Sequence, residues 1–184
     1  MGPGLSPIEL VRAKEEQIKF NHFESAFAVD EAGNVLMDKA GEQFHVGFTL
    51  EEREQLRAGL GVTFTHNHPR GWGYAEGSPL RSGSSFSDTD VRFACQTELA
   101  EMRVVTPKHR CSMRPPAQGW SLGYWDALLK PSYAQHEADV HRYFRLLLAR
   151  KQATAEEAGP ETAHEIWTRI AAEWGLAYGR KQEG

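Results

Sequence analysis

Two histidines one residue apart, in Thr65-His66-Asn67-His68-Pro69, close the β-branched and aromatic run that begins at Val62. Side chains alternate across an extended strand, so both imidazoles point the same way and can reach one metal ion. Farther on, Ser87-Asp88-Thr89-Asp90 opens a helical stretch. A carboxylate in that first turn, Asp90, can supply a third ligand. Two His and one carboxylate, with water in the fourth position, form an open catalytic zinc (Zn2+) arrangement rather than a closed structural one. Zinc lowers the pKa of such a water to about 7, and a nearby carboxylate must then take and return the proton. Each piece also has a plainer reading. A His-X-His pair at a strand end can be polar surface. Ser87-X-X-Asp90 is a capping box, in which Ser87 bonds backbone N–H groups and Asp90 gains from the helix dipole. Cap and ligand are compatible, because a fixed helix start is what a ligand at Asp90 needs.

Periodicity and caps give the elements that must hold these residues. Ser6-Pro7-Ile8-Glu9 starts a helix predicted to run to about Phe20. The next segment alternates, with Phe23, Ser25, Phe27 and Val29 on one face and Glu24, Ala26 and Ala28 on the other. Turn residues Glu31 to Asn34 lead into a return strand from Val35, and Phe44 to Phe48 is predicted as a third short strand. Thr49-Leu50-Glu51-Glu52 caps a helix ending near Gly59 or Gly61. Arg70 to Ser85 is a Gly- and Ser-rich loop. The helix after it continues through Val91, Ala94, Cys95 and Leu99, and Met102–Thr106 pairs with Arg110–Met113 as two strands. From about Trp125 the pattern is helical only, with stripes Val140, Phe144, Leu147, Leu148 and Ile166, Ile170, Ala171, Trp174 separated by a break at Gly159-Pro160. The expected layout is a mixed α/β domain over residues 1–120 followed by a helical extension over residues 121–184, packed on the same core or set apart from it.

Composition bounds the function. The 184 residues are 40% apolar and 25% charged, the balance of a soluble globular protein. A net charge of −4 argues against a general nucleic-acid binder. No apolar run approaches the ~20 residues of a membrane span, and the start lacks a signal pattern. Cys95 and Cys111 make neither a disulfide framework nor a Cys-based zinc site. A cytoplasmic enzyme or binding module with no membrane partner is expected. The deaminase signature, His-X-Glu with Pro-Cys-X-X-Cys, is not in the sequence.

His-X-His-Pro, a loop, Ser-X-X-Asp at a helix start and a Glu at the head of an early strand together resemble the JAB/MPN (JAMM) metalloprotease superfamily. His66-Asn67-His68-Pro69 is similar to the prokaryotic and phage-associated branch and to the RadC proteins, and the "ESAFAVDEAGNVL" hairpin and the "AHEIWTRIAAEWGLAYGR" ending resemble phage-associated members. The resemblance covers residues 20–120 well and the C-terminal helices more loosely. It implies a JAB/MPN-like (cytidine-deaminase-like) α/β fold, a mixed sheet flanked by helices with a C-terminal helical pair. It also implies zinc-dependent hydrolysis of a peptide or isopeptide bond in a protein or peptide substrate. By the same resemblance His66, His68 and Asp90 are the zinc ligands and Ser87 helps hold the oxyanion. Glu24, from its place at the head of the strand, is the candidate general base; RadC-like sequences carry their Glu two residues earlier on the same face, where this chain has His22. An inactive member serving as a phage- or DNA-associated interaction module is the alternative. The family usually places seven residues between the second His and the Ser; here there are eighteen, Pro69 to Phe86. That insertion is either a surface spacer, since loop length costs only logarithmically, or a flap whose Trp72 and Tyr74 contact an extended substrate.

Overall fold

A computed structural model describes residues 4–43, 45–69, 75 and 78–182. Helix α1, Pro7–Ile18, starts at Ser6, whose N–H and hydroxyl both donate to the Glu9 carboxylate. It is followed by β1, Ser25–Val29, and β2, Val35–Ala40, around the Asp30–Asn34 turn. In that turn the Asp30 carboxylate accepts from the Ala32 and Asn34 N–H groups. Helix α2 is Leu50–Ala58, β3 is Thr63–Asn67, α3 is Asp88–Thr97, β4 is Glu101–Val105 and β5 is His109–Arg114. A short turn, α4 at Leu122–Tyr124, runs through a π-helical stretch at Trp125–Leu129 into α5, Lys130–Ala149. Helix α6, Ala155–Trp174, and strand β6, Ala177–Gln182, follow.

The strands form one mixed α/β sheet in the order β2-β1-β3-β4-β5-β6. Only β3 and β4 run parallel, joined across α3; every other neighbouring pair is antiparallel. Both faces of the central strands are covered, which is why β1 and β4 are buried at every position. On one face Val11 of α1 packs on Phe27 and Val29. On that face too, a fully buried Glu15 accepts from Thr65 Oγ1 and from Arg103 Nε at 2.7 Å. The other face carries the main core. There Ala26, Phe64, Met102 and Val104 meet Phe86 and Val91 in one cluster with Trp125, Leu129, Val140, Ile166 and Trp167.

Three expectations need correction. Residues 45–48 form no strand. Instead Glu42 N–H bonds His45 O at 2.9 Å, turning the chain back to bury Val46, and a side chain at Gly41 would run into that same carbonyl. The Gly159-Pro160 pair does not break α6. The helix begins earlier, at a capping box of Thr154 with Glu157, and runs through Pro160 at the loss of one N–H bond. The C-terminal part is not only helical. Gly175, at φ 72°, ends α6, and β6 then pairs with β5 from Arg114↔Ala177 to His109↔Gln182. The helices beyond residue 120 therefore share the core of the preceding domain, and the chain after them returns to its sheet.

Candidate metal centre

The C-terminal end of β3 meets the N-terminus of α3. Strand alternation puts Phe64, His66 and His68 on the core face, and Ala26 lies opposite His66 across the antiparallel β1–β3 pair. Continuing that register brings Glu24, just ahead of β1, level with His68 on the same face. Asp90 arrives from α3 through its cap. Ser87 Oγ accepts from Asp90 N–H at 3.1 Å, and the Asp90 carboxylate accepts from Ser87 N–H at 2.7 Å.

His66 Nε2 and His68 Nε2 are 3.1 Å apart, His66 Nε2 is 3.4 Å from Asp90 Oδ1, and His68 Nε2 is 3.5 Å from Asp90 Oδ2. A tetrahedral metal with bonds of about 2.0–2.1 Å holds its ligand atoms roughly 3.3 Å apart. The three residues thus lie at metal-binding distances before any ion is considered, and their donor set, two imidazoles and a carboxylate, suits a divalent cation. The tautomer agrees. His68 Nδ1 faces the Ser84 carbonyl at 3.1 Å, and a carbonyl only accepts, so Nδ1 carries the proton and Nε2 is left for a ligand bond. His66 Nδ1 is buried without a partner among the described residues, so that ring too directs its polar contacts through Nε2.

The electrostatics show how strongly these groups are coupled. Burial pulls the His68 imidazole down, but Asp90, the Ser84 carbonyl and the Glu24 charge outweigh it and hold its pKa above the ordinary value. Burial pushes the Asp90 carboxyl up, yet the facing His66 and His68 rings hold it well below the usual carboxylate range.

All five residues expected at the centre, Glu24, His66, His68, Ser87 and Asp90, open on one cavity of about 530 Å³. His22 is exposed and is not among the residues lining it. Trp72 and Tyr74 lie outside the described residues. Two contributors escaped the sequence reading. Ser84 orients His68 through its backbone carbonyl, which no side-chain pattern can announce. Asn67, the residue between the histidines, faces away from the metal site. Its Oδ1 accepts from Ser25 N–H at 2.7 Å and its Nδ2 donates to Phe23 O at 3.0 Å, so it clamps both chain neighbours of Glu24. Glu24's own backbone is held at Glu42 O and Gly41 N–H, both at 2.8 Å. Comparison with protein-family models, curated proteins and solved structures found no match.

Proposed function

We propose that this cavity is the active site of a zinc-dependent hydrolase of the JAMM type, on a JAB/MPN-like fold, that cleaves a peptide or isopeptide bond. The observation that carries the reading is the convergence of His66, His68 and Asp90 on one point, with Glu24 and Ser87 on the wall of the same cavity. A zinc ion held there supplies a Lewis acid for the scissile carbonyl and lowers the pKa of water. Glu24 takes the proton from the attacking water and returns it to the leaving amine. The Ser87 hydroxyl donates to the oxyanion, which leaves Thr89 Oγ1, 2.8 Å away, to act as donor toward Ser87 in that pair. The Ser84 carbonyl, accepting from His68 Nδ1, keeps that imidazole turned so that Nε2 faces the metal point. Cys95 and Cys111, both buried free thiols, suit the reducing cytoplasm, the location that accompanies this reading.

Metal analysis and a peptide-hydrolysis assay test this together. One zinc per chain is expected in the parent and loss of it in His68→Ala and Asp90→Ala. Glu24→Gln should keep the zinc and lose at least 100-fold in turnover, within the range for removing a general base. Full zinc in the ligand variants would refute the site. Zinc in the parent without hydrolysis of any peptide or isopeptide would leave an interaction module instead.

A further inference from the structure

We infer that the substrate carries a carboxylate two to three residues from the bond that is cut, and that Arg53 and Arg92 receive it. The position of the cut rests on the hydrolase reading above; the anion site itself does not. The cavity does not stop at the metal residues but follows α3, whose Asp90, Phe93 and Gln96 all line it. Phe93 stacks on Phe48 at 4.6 Å between centroids, and Phe64 stands 5.2 Å from Phe93, giving an aromatic floor one turn along from Asp90. One turn farther, Gln96 Oε1 accepts from Arg53 Nη1 at 3.1 Å. Six residues of helix separate Asp90 from Gln96, about 9 Å of rise. An extended peptide advances about 3.3 Å per residue, so the guanidinium is reached two to three residues from a carbonyl at the metal point.

The charge is what calls for an anion. Among the described residues, Arg53 and Arg92 share with Arg12, Arg145 and Arg150 the lack of a carboxylate within ion-pair distance, whereas Arg57, Arg103, Arg114, Arg169 and Arg180 each have one; of these arginines, Arg53 and Arg92 are the ones that line the cavity. Arg53 is paired only to a neutral amide, and its Nε is buried without an acceptor. Arg92 adds a second cation to the same wall. Two unneutralised guanidinium groups on one concave surface favour a planar anion, and a carboxylate matches their donor geometry. The phenylalanines between them and the metal residues suit an apolar side chain on the intervening residue. The carboxylate is an Asp or Glu side chain or a free C-terminus.

Calorimetric binding of synthetic peptides to zinc-loaded Glu24→Gln protein separates these sources. One arm pairs Asp or Glu with Asn or Gln at the second and third residues from the cut. The other pairs C-terminal acids with C-terminal amides. In one arm the acid should bind about tenfold or more tighter than its neutral partner. Salt should erode the preference, Arg53→Gln should abolish it and Arg92→Gln reduce it, and Arg53→Lys should restore part of it. Zinc content and thermal unfolding of each variant establish that the centre and fold are intact. Equal binding of acid and neutral peptides in both arms, or a preference that survives Arg53→Gln with Arg92→Gln, overturns the inference. If an Arg53-dependent preference is found but the parent cuts no peptide, the anion site stands and the hydrolase reading fails. If peptides are cut without regard to charge, the reverse holds.

Discussion

His68 answers to two ions of opposite demand. In the metal-free protein Asp90 favours its protonated form, whereas a metal needs the neutral ring. Linkage gives the signs. Asp90, held well below the ordinary carboxyl value of 3.8, stabilises the metal-free fold above that pH, and the contribution is lost as pH falls through the depressed value. His68, held above 6.5, stabilises it below that pH, and the contribution is lost as pH rises through the raised value. Zinc competes with that proton, so its affinity falls on acidification, beginning above the ordinary imidazole range. The rise in melting temperature on adding zinc should therefore be larger at pH 8 than at pH 6. Thermal unfolding with zinc and with chelator at both values checks it, and an equal rise at both would mean that His68 is not a ligand. These residues were legible in the sequence because their directions are set locally, by alternation along a strand and by a helix cap. The Ser84 carbonyl was not, because its place depends on how a long connection folds back over β3.

The elements around the centre are tied to one another by residues that point away from it. Asn67 joins β1 to β3 through Ser25 N–H and Phe23 O and so fixes the backbone on both sides of Glu24. Asn67→Ala leaves the buried Ser25 N–H without its acceptor, and a loss of about 1–3 kcal/mol is expected. Because Asn67 does not face the metal residues, zinc should stay while turnover drops as Glu24 loses its seat. Urea unfolding, metal analysis and the hydrolysis assay on one preparation separate these effects. Unchanged stability would show that the clamp does not form in solution. Strands β1, β3, β4 and β5 were readable from alternation and β-branched runs. β6 was not, since Ala177-Tyr-Gly-Arg-Lys-Gln182 is polar on an edge and has one strong β-former. Its place comes from Tyr178, whose hydroxyl is 2.8 Å from Ser85 Oγ and 2.7 Å from His164 Nδ1, and from the Arg180–Glu161 pair. All are contacts between segments far apart in sequence or in different elements, which a periodicity cannot register.

At the scale of the whole molecule, the C-terminal third completes the site's support instead of trailing behind it. Phe86, directly before Ser87, is fully buried, and its carbonyl accepts from Trp167 Nε1 at 2.8 Å. Ser85 is held by Tyr178. The segment that delivers Ser84 to His68 and Ser87 to α3 is thus anchored from α6 and β6. The apolar stripes of α5 and α6 were visible in the sequence, but stripes state that a helix has a buried face and not which surface covers it. Here the covering surface is the core face of the sheet, with Trp125, Leu129, Val140, Ile166 and Trp167 in one cluster with Phe86 and Met102. A chain ending at residue 120 would expose that face, open the β5 edge and release the Phe86 and Ser85 anchors. Large-to-small changes in a core commonly cost about 2–5 kcal/mol each, and losing several such side chains together exceeds the roughly 5–15 kcal/mol that holds a typical domain. The fragment 1–120 should consequently give no cooperative thermal transition and no dispersed amide spectrum, whereas the full chain should unfold in a single transition. Trp167→Ala in the full chain isolates the anchor. It should cost about 3–5 kcal/mol and weaken zinc binding, because Ser87 and Asp90 lose the fixed start of α3. A folded, zinc-binding 1–120 fragment would show instead that the centre is self-sufficient and that the helices only cover it.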